Sequence, residues 1–214
     1  MILVKSAKLQ AWAGALILLL GVDCAALAGG GPLGIDHPVN LDTSGIWARR
    51  YQFALRDMLA VGTIGFALYE GGESRIGKAS WQAFDSIVAG SVVAETAKIA
   101  LSRSRPSQTD DPNRFFKGRN NRSFPSSEVA HVAGTLTPFA LEYGAEKPWL
   151  YALEGGLVLY DGIARMKSKG HWASDVIAGA ALGAGMGYVM HQRETPLLLA
   201  PFGDGVFVGL RKRF

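Results

Sequence analysis

Cysteine is almost missing from this chain: Cys24 is the single one in 214 residues. That excludes a disulfide framework and a cysteine-based zinc site. No Cys/His/Asp grouping has metal-ligand spacing, and neither a phosphate-loop nor a dinucleotide glycine fingerprint is present. No metal and no cofactor are therefore expected. Charge of one sign is also scarce, with a net +4, so nucleic acid is not an expected partner. Unbroken apolar runs of about 18 residues, long enough to cross a bilayer, are absent. Glu95 and Lys98 interrupt one candidate, Glu142 ends another, and Glu154 and Asp161 interrupt a third. With a mean hydropathy of +0.15, the expectation is a helical bundle in water, membrane-surface association being allowed. Apolar residues at 49% and charged residues at 19% give globular composition, enough for one domain.

The start of the chain reads as a targeting segment. Lys5 and Lys8 precede an apolar core, Trp12 to Val22, and Ala26-Leu27-Ala28 offers a small-x-small cleavage site. Residues 1–28 are thus expected to be a signal peptide, making the protein exported and periplasmic. An uncleaved membrane anchor, or a multi-span membrane protein, is the alternative. Cleavage before Gly29 removes Cys24 and, with Lys5, Lys8 and Asp23, takes the net charge to +3.

What is present after residue 28 is mostly helical pattern. Residues 29–50 are rich in Gly, Pro and Asp and read as a loosely ordered lead-in segment. Helices are expected over Met58 to Tyr69, Trp81 to Leu101 (either alone or joined to a short helix before it), Ser127 to Tyr143, Pro148 to Ala164 and Trp172 to His191. Ser107 to Phe124 is a polar loop without a clear period. The tail alternates around Gly203-Asp204-Gly205, so Leu197 to Phe202 and Val206 to Leu210 read as a short hairpin. The organisation expected is a helical domain over 29–195 and a β-like tail over 196–214.

Three clusters are candidates for chemistry. Lys98 and Arg105-Pro106 put two cations near one helix face and its end; alone, such a pair is more often a solvated basic face. Phe124-Pro125-Ser126-Ser127-Glu128 is a helix start, and helix N-terminal amides bind phosphate; alone, it is more often a plain cap. His171 and Asp175 stand four apart, so one turn brings them together and the carboxylate fixes the imidazole tautomer; a surface pair is equally common. Taken together they supply three cations, a donor turn and a nucleophile, and phosphoryl transfer is mainly positioning and charge stabilisation.

In order and spacing, K-x6-R-P from Lys98 and R-x5-H-x3-D from Arg165 resemble the type 2 phosphatidic acid phosphatase superfamily, which includes bacterial acid phosphatases and vanadium haloperoxidases. The resemblance runs from Lys98 to Asp175. It implies a mainly α fold, a helical bundle of the acid phosphatase/haloperoxidase type, here with a short C-terminal β-hairpin. It implies that Lys98, Arg105 and Arg165 bind the phosphate oxygens, that Ser126 and the amide of Ser127 complete the cradle, and that His171 attacks phosphorus with Asp175 orienting it. The function implied is hydrolysis of phosphomonoesters or diphosphates, lipid-linked, through a phosphohistidine and without metal. Competing functions are a non-catalytic phosphate- or phospholipid-binding protein and a vanadate-dependent haloperoxidase.

The chain departs from the family pattern in its second motif. Ser127 replaces glycine and Glu128 replaces the histidine that protonates the leaving group; Ala164 replaces the serine before Arg165. Three readings of the acid stay open. Glu128 serves, although neighbouring cations favour its ionised form. Or His131, one turn on, serves with Glu128 holding it. Or no acid is needed, because a leaving phosphate with a second pKa near ~6 departs unaided. The basic loop through Arg114, Lys117, Arg119 and Arg122 is either a lid or a solvated connection. Trp172 and His191 are read as packing or surface residues.

Overall fold

Helix boundaries in this chain follow local chemistry. Gly71 adopts φ 68 and stops the first helix, a left-handed conformation that costs glycine little. The Ser74 side chain then caps the second helix by accepting from the Gly77 amide at 3.0 Å. Ser102, at φ 41, ends that helix. The computed structural model describes residues 30–193 and, beyond them, the backbone of residues 197–202 and 205–210. The signal-peptide expectation for residues 1–28 lies outside the described residues.

The helices are α1 (Arg49–Glu70), α2 (Arg75–Leu101), α3 (Ser127–Tyr143), α4 (Trp149–Lys167) and α5 (Ala173–His191). The domain is all-helical, with α3 as the central strut packed against α2, α4 and α5. In the tail, the backbone of β1 (Leu197–Phe202) pairs antiparallel with β2 (Gly205–Leu210), Leu197 opposite Leu210.

Two helices begin ahead of their expected apolar segments. The first helix starts at Arg49 rather than Met58, and the second runs unbroken from Arg75, so the segment before Trp81 is joined to it. Their opening turns carry charged residues that hide the apolar period. They fold as helix because those charges find partners: Arg75 donates to Glu142 at 2.7 Å and Glu146 at 2.8 Å, and Arg49 reaches α3. The lead-in segment is not loose either. Asp36 is buried and accepts from the Ser174 amide and hydroxyl and from Arg103.

Successive helices reverse direction, so one end of the bundle gathers the starts of α1, α3 and α5 and the finishes of α2 and α4. The opposite end is closed by Arg75 with Glu142 and by Gln82, which donates to the carbonyls of His191 and Arg193. Close packing of α5 on α3 rests on glycine: a Cβ at Gly179 would collide with the Ser126 carbonyl, and one at Gly183 with the Ala130 carbonyl. Among the described residues, one helix, Ala173–His191, is long and apolar enough to cross a membrane by length and composition.

Candidate active site

The helix termini at the first end bring the three sequence clusters together. Lys98, in the last turn of α2, is buried and donates from Nζ to the Ser127 hydroxyl at 2.5 Å and to Glu95 at 2.9 Å. Ser127 and Glu128 open α3, and Arg165 lies in the last turn of α4. His171 sits in the connection to α5, whose first turn holds Asp175. Arg105 is half-buried beside them. Its guanidinium donates to the Arg122 carbonyl at 3.4 Å; burial lowers the pKa of Lys98, Arg165 and His171, and the Arg105 charge adds a smaller push in the same direction.

His171 is 3% exposed. Its Nδ1 faces the Ser123 carbonyl at 2.7 Å, a contact in which Nδ1–H donates. That fixes the tautomer and leaves Nε2 as the lone-pair nitrogen. Among the described residues Nε2 makes no hydrogen bond. Burial pushes the His171 pKa down, against the pull of Asp175, so the ring is neutral near neutral pH.

Asp175 acts one step further back than the motif suggests. Its Oδ2 lies 3.7 Å from His171 Nδ1, too far for a hydrogen bond. The carboxylate instead accepts from the Ser123 hydroxyl at 2.5 Å, the Trp172 amide at 2.9 Å and Arg103 at 2.5 Å. Asp175 therefore holds the residue whose carbonyl holds His171, and supplies negative charge nearby. Arg103 is fully buried and bridges Asp175 to Asp36. A buried ion needs partners on every side, and Arg103 has them: both carboxylates, Ser174 and the Pro112 carbonyl.

Among the described residues, two buried donors near Glu128 have no hydrogen-bond partner: Ser126 Oγ and Arg165 Nε. Native buried polar groups are rarely unsatisfied, and an oxyanion would satisfy both. The first turn of α3 has no side-chain cap on its amides, which adds a partial positive charge facing the same anion. Arg165, lowered by burial to about 10, remains a cation at neutral pH.

The acid candidates fare differently. Glu128 accepts two hydrogen bonds from Arg49, Oε1 from Nη2 and Oε2 from Nη1, each at 2.8 Å. Burial raises its pKa, but Arg49 and Arg165 outweigh burial and hold it at about 2. Near neutral pH it is therefore a carboxylate, which weighs against a proton-donating role there. His131 is not held by Glu128: among the described residues no hydrogen bond joins them, and His131 Nε2 is buried without a partner. The charges that bear on His131 are Arg56 and Asp57 of α1 together with Glu128, and burial pushes its pKa down.

The basic loop is tied to the bundle rather than free. Backbone bonds run from Ser104 to Arg114, Phe116 to Leu101, Lys117 to Ser102 and Ser123 to Arg103. Trp172 is buried, its indole N–H on the Ser104 carbonyl at 2.9 Å, and His191 lies against Gln82 at the far end. Five residues of the site escaped sequence reading: Asp36, Arg49, Gln52, Arg103 and Ser123. Arg103 alone left a trace, as the middle cation of Ser102-Arg103-Ser104-Arg105.

The family model described as the PAP2 superfamily matches residues 79–196, which take in every residue from Lys98 to Asp175. Among curated proteins the chain is similar to the lipid A 1-phosphatase of Porphyromonas gingivalis, 42% identical over 92 residues. Those residues are 42% of this chain and 18% of that protein, so the match covers under a fifth of the relative's length. No solved structure matches the chain.

Proposed function

This chain belongs to the PAP2 superfamily, and from that membership we propose that it is a phosphatase that releases inorganic phosphate from a phosphorylated lipid by way of a phosphohistidine at His171. The observation that carries the reading is the juxtaposition of a tautomer-fixed His171 with unsatisfied donors on Ser126 and Arg165. The phosphoryl group sits among Lys98, Arg105, Arg165, Ser126 and the first amides of α3. The Nε2 lone pair attacks phosphorus in line, forming an N–P bond while the bond to the leaving oxygen breaks. Ser123 and the Asp175 charge stabilise the imidazolium that results. Water then attacks phosphorus, the N–P bond breaks, and phosphate departs.

Because Glu128 is ionised, leaving groups that need no proton are favoured. A diphosphate, whose leaving group is itself a phosphate with a second pKa near ~6, fits better than an alkyl monoester. A lipid substrate accords with the activity for which the Porphyromonas gingivalis relative is named and with the outside of the bundle. The buried apolar positions are largely alanine, among them Ala79, Ala83, Ala94 and Ala164, while Met58, Val61, Leu68 and Leu159 are over 60% exposed. Large apolar faces left outside mark a partner surface; we assign it to lipid, with the site at the adjoining end of the bundle. Periplasmic export remains part of this proposal.

The test is phosphate release in EDTA from a matched lipid monophosphate and diphosphate. His171→Ala should reduce turnover by at least roughly 10³-fold while circular dichroism shows the fold kept. Turnover that survives His171→Ala sinks the mechanism, and equal rates on the two substrates sink the diphosphate preference.

A further inference from the structure

Arg49 and Gln52 lie outside the residues that the family model matches, yet they reach the middle of the site. Arg49, the first residue of α1, grips both oxygens of Glu128. Gln52, one turn on, is buried; its Nε2 donates to the Trp47 carbonyl at 2.9 Å. Its Oε1 accepts from Arg49 Nη1 and stands 3.4 Å from Arg165 Nη1. The anchored amide thus separates two guanidinium groups. The ring of Phe53 lies 4.2 Å beneath the Arg49 guanidinium and completes the seat.

The arrangement answers a problem created by Glu128. A carboxylate at the mouth of a phosphate site repels the substrate and competes for its cations. Glu128 Oε2 is only 3.7 Å from Arg165 Nε, the buried donor that lacks a hydrogen bond. A small rotation would close that gap and occupy Arg165. The planar fork of Arg49 matches the carboxylate in a bidentate pair, which restrains Glu128 and neutralises it. Two of Arg49's N–H groups go to Glu128 and one to Gln52, leaving little of its fork for a substrate.

Building on the phosphatase reading, we propose that Arg49 is a positioning residue that holds Glu128 away from Arg165, so that the Arg165 Nε–H stays open to a substrate phosphate oxygen. Glu128 is then a counter-ion that was placed where an acid would stand, and the start of α1 becomes part of the substrate-binding machinery. The role is indirect: Arg49 acts on phosphate affinity through Glu128.

A double-mutant cycle tests this on the full chain, with phosphate release and competitive inhibition by inorganic phosphate as readouts. Arg49→Met should raise KM and the inhibition constant of phosphate by roughly 10-fold, with a smaller fall in kcat. Adding Glu128→Gln to Arg49→Met removes the competing charge and should recover more than half of that loss on a logarithmic scale. A loss equally large with Glu128→Gln present overturns the proposal, because Arg49 would then touch substrate itself. An unchanged KM in Arg49→Met overturns it as well. Should Arg49→Met melt too low to assay, Arg49→Lys carries the same cycle, since a point charge cannot grip both oxygens. A wild-type chain that neither releases nor binds phosphate refutes the underlying phosphatase reading, which the unmutated control reports separately.

Discussion

At position 128 a single side chain changes what the site can do. A histidine there would exchange protons near neutral pH, whereas Glu128 in the grip of Arg49 stays ionised down to about 2. Its ordinary value is 4.5. A carboxyl depressed on folding contributes stability that is complete above its unfolded value and lost as pH falls through the folded one. Its share of stability should therefore be intact above pH 4.5 and drain away from there toward about 2. His171 acts in the same direction. Its pKa is depressed below 6.5, so its neutral, nucleophilic form persists until the pH drops below that value. The expected profile of kcat/KM has its His171 acid limb below pH 6.5 and no alkaline limb from residue 128. Thermal melts and initial rates across pH 3 to 9 check both; an alkaline limb that disappears in Glu128→Gln would restore Glu128 as the acid.

At the scale of elements, the decisive contact is α3 against α5. Ser126 is fixed twice by this pair: its amide donates to the Asp175 carbonyl at 2.9 Å, and its carbonyl lies where a Cβ on Gly179 would fall. Gly183 lies against the Ala130 carbonyl in the same way. A methyl here meets backbone, which cannot swing aside. Gly183→Ala should destabilise by about 1–3 kcal/mol as an overpacked contact. Gly156 on α4 is exposed, with open space where a methyl would stand, and Gly156→Ala should stabilise by roughly 0.5–1 kcal/mol through helix entropy. Equilibrium unfolding of the two variants reads the opposite signs; a neutral Gly183→Ala would mean that the helices slide apart freely.

For the molecule as a whole, among the described residues alanine supplies more than half of the buried apolar positions while many large apolar side chains stand exposed. Met58, Val61, Ile64 and Leu68 recur every three or four positions along α1 and are all exposed, so they form one continuous face. Such a face gains by contact with hydrocarbon rather than water. The full chain should co-sediment with phosphatidylethanolamine/phosphatidylglycerol vesicles, and the pair Val61→Asp and Leu68→Asp should cut the bound fraction by roughly 10-fold, as two charges placed in an apolar contact. A chain that stays in the supernatant as a detergent-free monomer would remove the lipid assignment.

Much of this protein is written along its chain. Helix α3 is legible to the residue, from the Pro125-Ser126 start to Tyr143, because a proline before the first turn and an apolar period are local properties. The spacing of Lys98, Arg105, Arg165, His171 and Asp175 carries the family resemblance for the same reason: it is read along the chain. What tertiary structure alone decided lies between distant segments. Arg49 meets Glu128 across 79 residues, Arg103 meets Asp36 across 67, and His171 takes its partner from the Ser123 backbone 48 residues earlier. No periodicity records such pairings. They arise when alternating helices bring their ends to one side, where buried charges and a backbone carbonyl must find partners.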